Sequence, residues 1–206
     1  MSICEHHLEM KGILSMFLNG RDGSFGRASE YASAEDFCSI FHQDMDVLYW
    51  LALTLTSDER EAEQCFVTSF EECIDGGPVF KEWARSWSKR VLIKNAIRRV
   101  APQANATNGT AAIRELEKSE SQAEAAQVAL RNLRPFDRFV FVMAVLEGYA
   151  ERDCVTLLEC SATDLIKARF RAVQHIQRAI DLSPALDGDH GNESQKTAVL
   201  NDAQAA

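Results

Sequence analysis

The sequence predicts an all-α protein built as two small helical domains joined by a linker, and three observations carry that prediction. Apolar residues recur at intervals of three and four along most of the chain, the period of an amphipathic helix. No β-branched run alternates strictly between apolar and polar, so no sheet is expected. Between the two helical stretches the composition shifts to PQANATNGTAA and then to a polar Glu- and Ser-rich stretch with few large apolar residues. At 206 residues and 46% apolar content, the chain is long enough for two cores.

The expected order is an N-terminal extension at 1–33, a helical domain at 34–100, a linker at 101–125, a second helical domain at 126–183 and a disordered acidic tail at 184–206. The first strong helix is read from Ala34 to Leu55, with Phe37, Ile40, Phe41, Leu48, Leu51 and Leu55 on one face. Thr56 to Glu59 fits a capping box, and a second helix follows to Ile74. Gly76 and Gly77 are suited to a left-handed C-cap, and Pro78 to opening a third helix over 79–100. There Phe80, Trp83, Trp87 and Val91 are expected to form an aromatic seam against the first two helices. Lys81, Arg85 and Lys89, then Arg90, Lys94 and Arg98, make basic stripes at i, i+4. The second domain is read as helices at 126–132, 135–147, 150–158 and 162–181.

The formal net charge of −9 conceals a strong segregation. Residues 58–75 hold seven acids against one Arg, whereas 80–100 hold seven bases against Glu82. Residues 165–178 carry Lys167, Arg169, Arg171 and Arg178 with no acid. The tail is acidic again, which raises the possibility of its folding onto the basic helices.

The segment from Glu147 to Ile180 reads as a helix-turn-helix. Val155, Leu157 and Leu158 lie on its first helix, Glu159 and Cys160 on the turn, and Ser161 with Asp164 forms a capping box for the second. Glu159 stands where a left-handed residue is often needed, at a cost of roughly 1 kcal/mol for a side chain. In the second helix Ile166, Phe170, Val173, Ile176 and Ile180 are expected in the core, and Lys167, Arg171, Gln174 and Arg178 on another face. Docked on DNA, Ala162, Thr163, Asp164 and Lys167 would meet base edges, Asp164 accepting from a cytosine amino group, while the later bases would hold phosphates. The same spacing also fits an amphipathic helix pair with a solvated basic face.

Two segments then resemble the RNA polymerase sigma factors of the extracytoplasmic-function type, in words as well as in periodicity. LYWLALTLTSDEREAEQCFVTSFEECI and FKEWARSWSKRVLIKNAIRR are similar to the family's region two, and ALRNLRPFDRFVFVMAVLEGYAERD to the preface of its region four, with Arg134 inserted between the usual Leu and Pro. The resemblance implies a three-helix region-two domain that docks on core RNA polymerase and reads promoter DNA, and a helix-turn-helix region-four domain that reads the upstream promoter element. It assigns polymerase contact to Glu61, Glu63 and Phe70, and DNA contact to Arg85, Lys89, Arg90, Lys94, Arg98, Arg99, Lys167, Arg169 and Arg171. Val67 and Thr68 stand where the family has a Gln-Glu pair. The alternative is therefore a sigma-derived interaction or regulatory protein that has lost polymerase binding. An anti-sigma or other regulatory protein is a further possible partner.

No Gly-rich phosphate loop, HExxH or nucleophile motif is present, so no catalytic site, cofactor or metal is expected. Cys4, His6 and His7 lack a fourth ligand nearby, and the six cysteines have neither zinc nor disulfide spacing, so most are expected to be small buried hydrophobes. No run approaches the roughly 18 apolar residues of a membrane span, and residues 1–12 lack a signal-peptide pattern, so the expected setting is the cytoplasm, without membrane insertion.

Overall fold

The structure, a computed structural model, describes residues 30–104 and 121–182. Its described residues form an all-α fold of eight α-helices and one π-helical segment. The expected extension at 1–33, the linker and the acidic tail lie largely or wholly outside those residues.

The first group of helices is α1 (Ala34–Gln43), α2 (Met45–Thr56), α3 (Glu59–Asp75) and α4 (Lys81–Val100). α1 starts at a capping box. The Ser33 hydroxyl accepts from the Asp36 N–H at 3.2 Å, and the Asp36 carboxylate accepts from the Ser33 N–H at 2.8 Å. The single helix expected over 34–55 is two, because Asp44 (φ −101°, ψ 17°) turns the axis. The backbone ladder survives the turn through Asp44 N–H to Ile40 O and Leu48 N–H to Asp44 O. Two apolar surfaces are buried this way. Phe41 meets Phe66 and Phe70 of α3 edge-to-face at 5.2 Å each, and α2 becomes a central helix buried along most of its length.

The cap of α3 also differs from the sequence reading. Ser57 takes the left-handed conformation (φ 58°), and Asp58 is the N-cap, accepting from the Glu61 N–H at 2.9 Å. Thr56 is buried and donates to Ala52 O instead of capping. At the other end Gly76 is extended (φ −73°, ψ 177°), not left-handed. A Cβ there would lie 2.7 Å from Glu72 O, so glycine is required by close approach of the backbone. Val79 and Phe80 stay outside α4: Val79 O accepts from Ala32 N–H and Tyr31 stacks on Phe80, an isolated bridge where the sequence placed the first helical turn.

The second group is α5 (Gln122–Asn132), α6 (Pro135–Phe141), a π-helical turn Val142–Leu146, α7 (Glu151–Leu158) and α8 (Ala162–Leu182). α5 begins at the Ser121 cap, four residues before the expected end of the linker at 125. Pro135 takes the first helical position of α6, where its missing N–H costs nothing. The two groups share one continuous hydrophobic core, with α6 packed on α2.

Glu159 closes α7 in the left-handed conformation (φ 48°), as the turn chemistry required. Glu159→Gly is accordingly expected to raise the unfolding free energy by about 0.5–1 kcal/mol in urea titration. Burial pushes the thiols of Cys65 and Cys154 up to about 11 and that of Cys73 to about 12. At pH 8 a disulfide-exchange reagent should react with partly exposed Cys160 well before these three, which should respond only on unfolding. Raised thiol values carry a sign: their contribution to stability is complete below about pH 9, then declines toward the folded values as the unfolded chain ionises first.

Candidate nucleic-acid interface

α7, the Glu159–Cys160 turn and α8 form a helix-turn-helix whose second helix starts at a side-chain cap. The Ser161 hydroxyl accepts from the Asp164 N–H at 3.1 Å and donates to the Asp164 carboxylate at 2.7 Å. Asp164 thus helps to hold the helix start through one carboxylate oxygen, Oδ2. Thr163 and Lys167 are exposed beyond it.

The core face of α8 is not the expected one. Leu165, Ala168, Ala172, Ile176 and Ala179 are buried, whereas Ile166, Phe170 and Val173 face outward, Phe170 with 63% of its surface exposed. Of the expected set Ile176 is buried and Ile180 is partly buried. Small residues in the buried stripe let α8 lie close to both α5 and α6, so the helix is turned relative to the simple periodic reading. Lys167, Arg169 and Arg178 pair with no carboxylate among the described residues. Arg171 does: it donates to Asp137 at 2.6 and 3.2 Å, and that hydrogen bond pushes its ionisation upward. Arg134, the inserted residue, grips the same carboxylate at 2.7 and 2.9 Å. Asp137 is thereby buried between two guanidinium groups, a cluster that the sequence reading did not find.

On α4 the expected seam holds at Val91, which is buried, and at half-buried Phe80, but not at the two tryptophans. Trp83 and Trp87 are 57% and 38% exposed, and the buried residues are Ala84, Ser88, Val91, Leu92, Ile93, Asn95 and Ala96. The expected DNA-contact residues divide into two sets. Arg85 is bound to Asp44 and Gln43, Lys89 to Glu147 at 2.8 Å, Arg98 to Glu72 and Asn95, and Arg99 to Glu61, Gln64 and Thr68. Arg90 and Lys94 pair with no carboxylate among the described residues, though Tyr149 lies near enough to feel Arg90. Asn95, buried at the centre of this face, donates to Ser69 and Glu72 and fixes the register of α4 on α3.

The residues assigned to polymerase contact are not gathered into one outward patch. Phe70 is 2% exposed and belongs to the core with Phe41. Glu61 is held by Arg99 at 3.1 Å, so a residue expected to meet protein and one expected to meet DNA satisfy each other. Glu63 is partly buried on the same helix.

Two contacts join the helix groups across this region. Lys89 of α4 pairs with Glu147, which follows the π-helical turn. Arg138 of α6, only 4% exposed, donates to Leu55 O at 3.0 and 3.3 Å, to Arg131 O at 3.1 Å and to Leu133 O at 3.2 Å. Burial pulls its ionisation down to about 10. The adjacent pair Asp137 and Arg138 therefore reaches toward α8 on one side and α2 on the other. Sequence carried a faint signal for this pair, an Arg-Pro-x-Asp start with Arg134 and Asp137 three apart, but none for the long-range acceptor on α2.

Among the described residues no three His, Cys, Asp or Glu side chains converge to hold a metal ion, and no helix is long and apolar enough to cross a membrane. Cys4, His6 and His7 lie outside those residues. No model of a known protein family matches the chain, and no curated protein matches it. Replacing Arg138 with Met removes the donor from three buried carbonyls, and urea unfolding should show a loss of roughly 2–4 kcal/mol.

Proposed function

We propose that the chain is a DNA-binding protein of transcription initiation, a sigma-like subunit that directs core RNA polymerase to promoters. The observation that carries the reading is the helix-turn-helix. Its second helix is capped at Ser161 and points Thr163, Lys167 and Arg169 outward, and no acid on its outward face lies between Asp164 and Asp181. The exposed Trp83 and Trp87 beside the basic residues of α4 add to it, since indole rings can stack on unpaired bases while cations hold phosphates. The resemblance of both halves to sigma factors, in the family's order, gives the partner: core polymerase. No part of the reading calls for a catalytic group.

A second reading is a sigma-derived regulator that binds another protein and contacts DNA weakly. It is favoured by one specific arrangement. Arg85, Lys89, Arg98 and Arg99 are each engaged by an acid of this chain. Thr68, in the place of the family's motif Glu, accepts from Arg99.

The deciding experiment is a pull-down of the full chain with core RNA polymerase at moderate salt, followed by transcription from a pool of random promoter fragments. The expected outcome is stoichiometric binding with selected start sites; absence of binding would leave the second reading. For the DNA contact itself, Arg90→Glu with Lys94→Glu should lower the affinity for duplex DNA by roughly tenfold or more. The slope of log affinity against log salt should flatten by about 2.

A further inference from the structure

Ile166, Phe170 and Val173 fall at i, i+4 and i+7 and form a single exposed apolar stripe on the outer face of α8. Three large apolar side chains in one line on a helix already packed by its opposite face mark a contact surface. What borders the stripe decides what kind. At about 100° per residue, Arg169 lies about 65° to one side of it, and Lys167 and Arg178 about 90–115° to the other. Neither acid of the helix intrudes: Asp164 is held by Ser161, and Asp181, at the far end, accepts from Gln177. The face is an apolar ridge with Arg169 on one side and Lys167 and Arg178 on the other.

The complement of such a ridge is an apolar floor between two anionic walls. The major groove of duplex DNA supplies the walls as phosphates, and among the polar base edges of its floor the apolar groups are the C5-methyls of thymine. The stripe also begins in the N-terminal half of the second helix, the part that enters the groove in helix-turn-helix docking. Ile166 and Phe170 are separated by about 6 Å along the axis, close to two base-pair steps of about 3.4 Å.

We propose that α8 recognises thymine through its methyl groups, Ile166 and Phe170 contacting methyls on base pairs two steps apart while Lys167 and Arg169 hold the two phosphate walls. The proposal rests on the DNA-binding reading and adds the base and the atoms that are read. It adds to the base contact expected of Asp164, whose carboxylate is bonded to the Ser161 cap, apolar side chains that periodicity placed in the core.

The test uses the full chain and a pool of random-sequence duplexes. The tightest selected duplex is resynthesised with uracil in place of thymine, which removes only the C5-methyls and leaves charge and pairing intact. The uracil duplex should bind roughly tenfold more weakly, and Phe170→Ser should abolish the thymine-over-uracil preference while leaving the salt slope unchanged. Phe170 is exposed, so this variant is expected to keep the helical circular-dichroism spectrum of the parent. Equal binding of the thymine and uracil duplexes would overturn the proposal and leave the DNA-binding reading standing. If no duplex is enriched even at low salt, both fail together. A preference that survives Phe170→Ser, with loss of a bound protein partner instead, would assign the stripe to protein docking and overturn the methyl contact.

Discussion

Arg138 carries a positive charge into the interior with no carboxylate among the described residues to meet it, and the way it is satisfied organises both groups of helices. Its acceptors are backbone carbonyls at helix ends: Leu55 in the last turn of α2, and Arg131 and Leu133 at the close of α5. Helix C-termini present unpaired carbonyls and a partial negative charge, so two of them can offset much of the desolvation cost of one guanidinium. The constraint is mutual. α2 and α5 cannot separate without leaving either a buried cation or buried carbonyls unsatisfied, each costing a few kcal/mol.

The neighbouring Asp137 has a carboxylate that would be the obvious partner for Arg138, yet it faces the other way, to Arg134 and Arg171. Alternation of direction at successive positions of α6 gives one short helix two separate duties. Asp137 fixes α6 to α8 and the next residue, Arg138, fixes it to the first helix group. An arginine of α8 is consumed in that arrangement, so the outward cations left there are Lys167, Arg169 and Arg178. On α4 the division is similar, with Arg98 and Arg99 neutralising the acidic α3, and Arg90 and Lys94, both partly buried, pairing with no carboxylate among the described residues. The segregated charge of the sequence is thus partly cancelled by packing: the seven acids of 58–75 and the seven bases of 80–100 lie on helices that face each other.

Those same facts explain what was legible in advance. The all-α class, the turn at Glu159 and the Ser161 cap follow from local chemistry: periodicity, a required left-handed residue, and a hydroxyl three residues before its N–H partner. Local chemistry also misled where two options were equally good nearby. Thr56 and Asp58 can each cap α3, and the winner was decided by the burial of Thr56 in the core. Gly76 fits a left-handed cap or a close approach, and only the position of Glu72 O separates them. The break at Asp44 has no proline or glycine to announce it, because it arises from the need to bury two faces in different directions. Phe70 was legible as an apolar residue, but its place beneath the surface depends on Phe41, twenty-nine positions away.

α8 shows the limit most clearly, since it carries two apolar stripes of helical period and only one can be core. Hydrophobicity favours Ile166, Phe170 and Val173; the fold buries Leu165, Ala168, Ala172, Ile176 and Ala179. The reason is distance. α8 packs on α5 and α6 together, and interaxial separation follows the size of the side chains at the contact. Alanines permit a close approach that a phenylalanine would prevent, and they recover through many short contacts what they lack in individual area. Large residues excluded from a close-packed face must then go outward, where only a partner surface can shield them from water. Trp83 and Trp87 stand in the same position on α4, displaced from the core by Ala84 and Ser88. On both helices the largest residues that periodicity marks as core, Phe170 on α8 and Trp83 and Trp87 on α4, are the ones packing leaves outside.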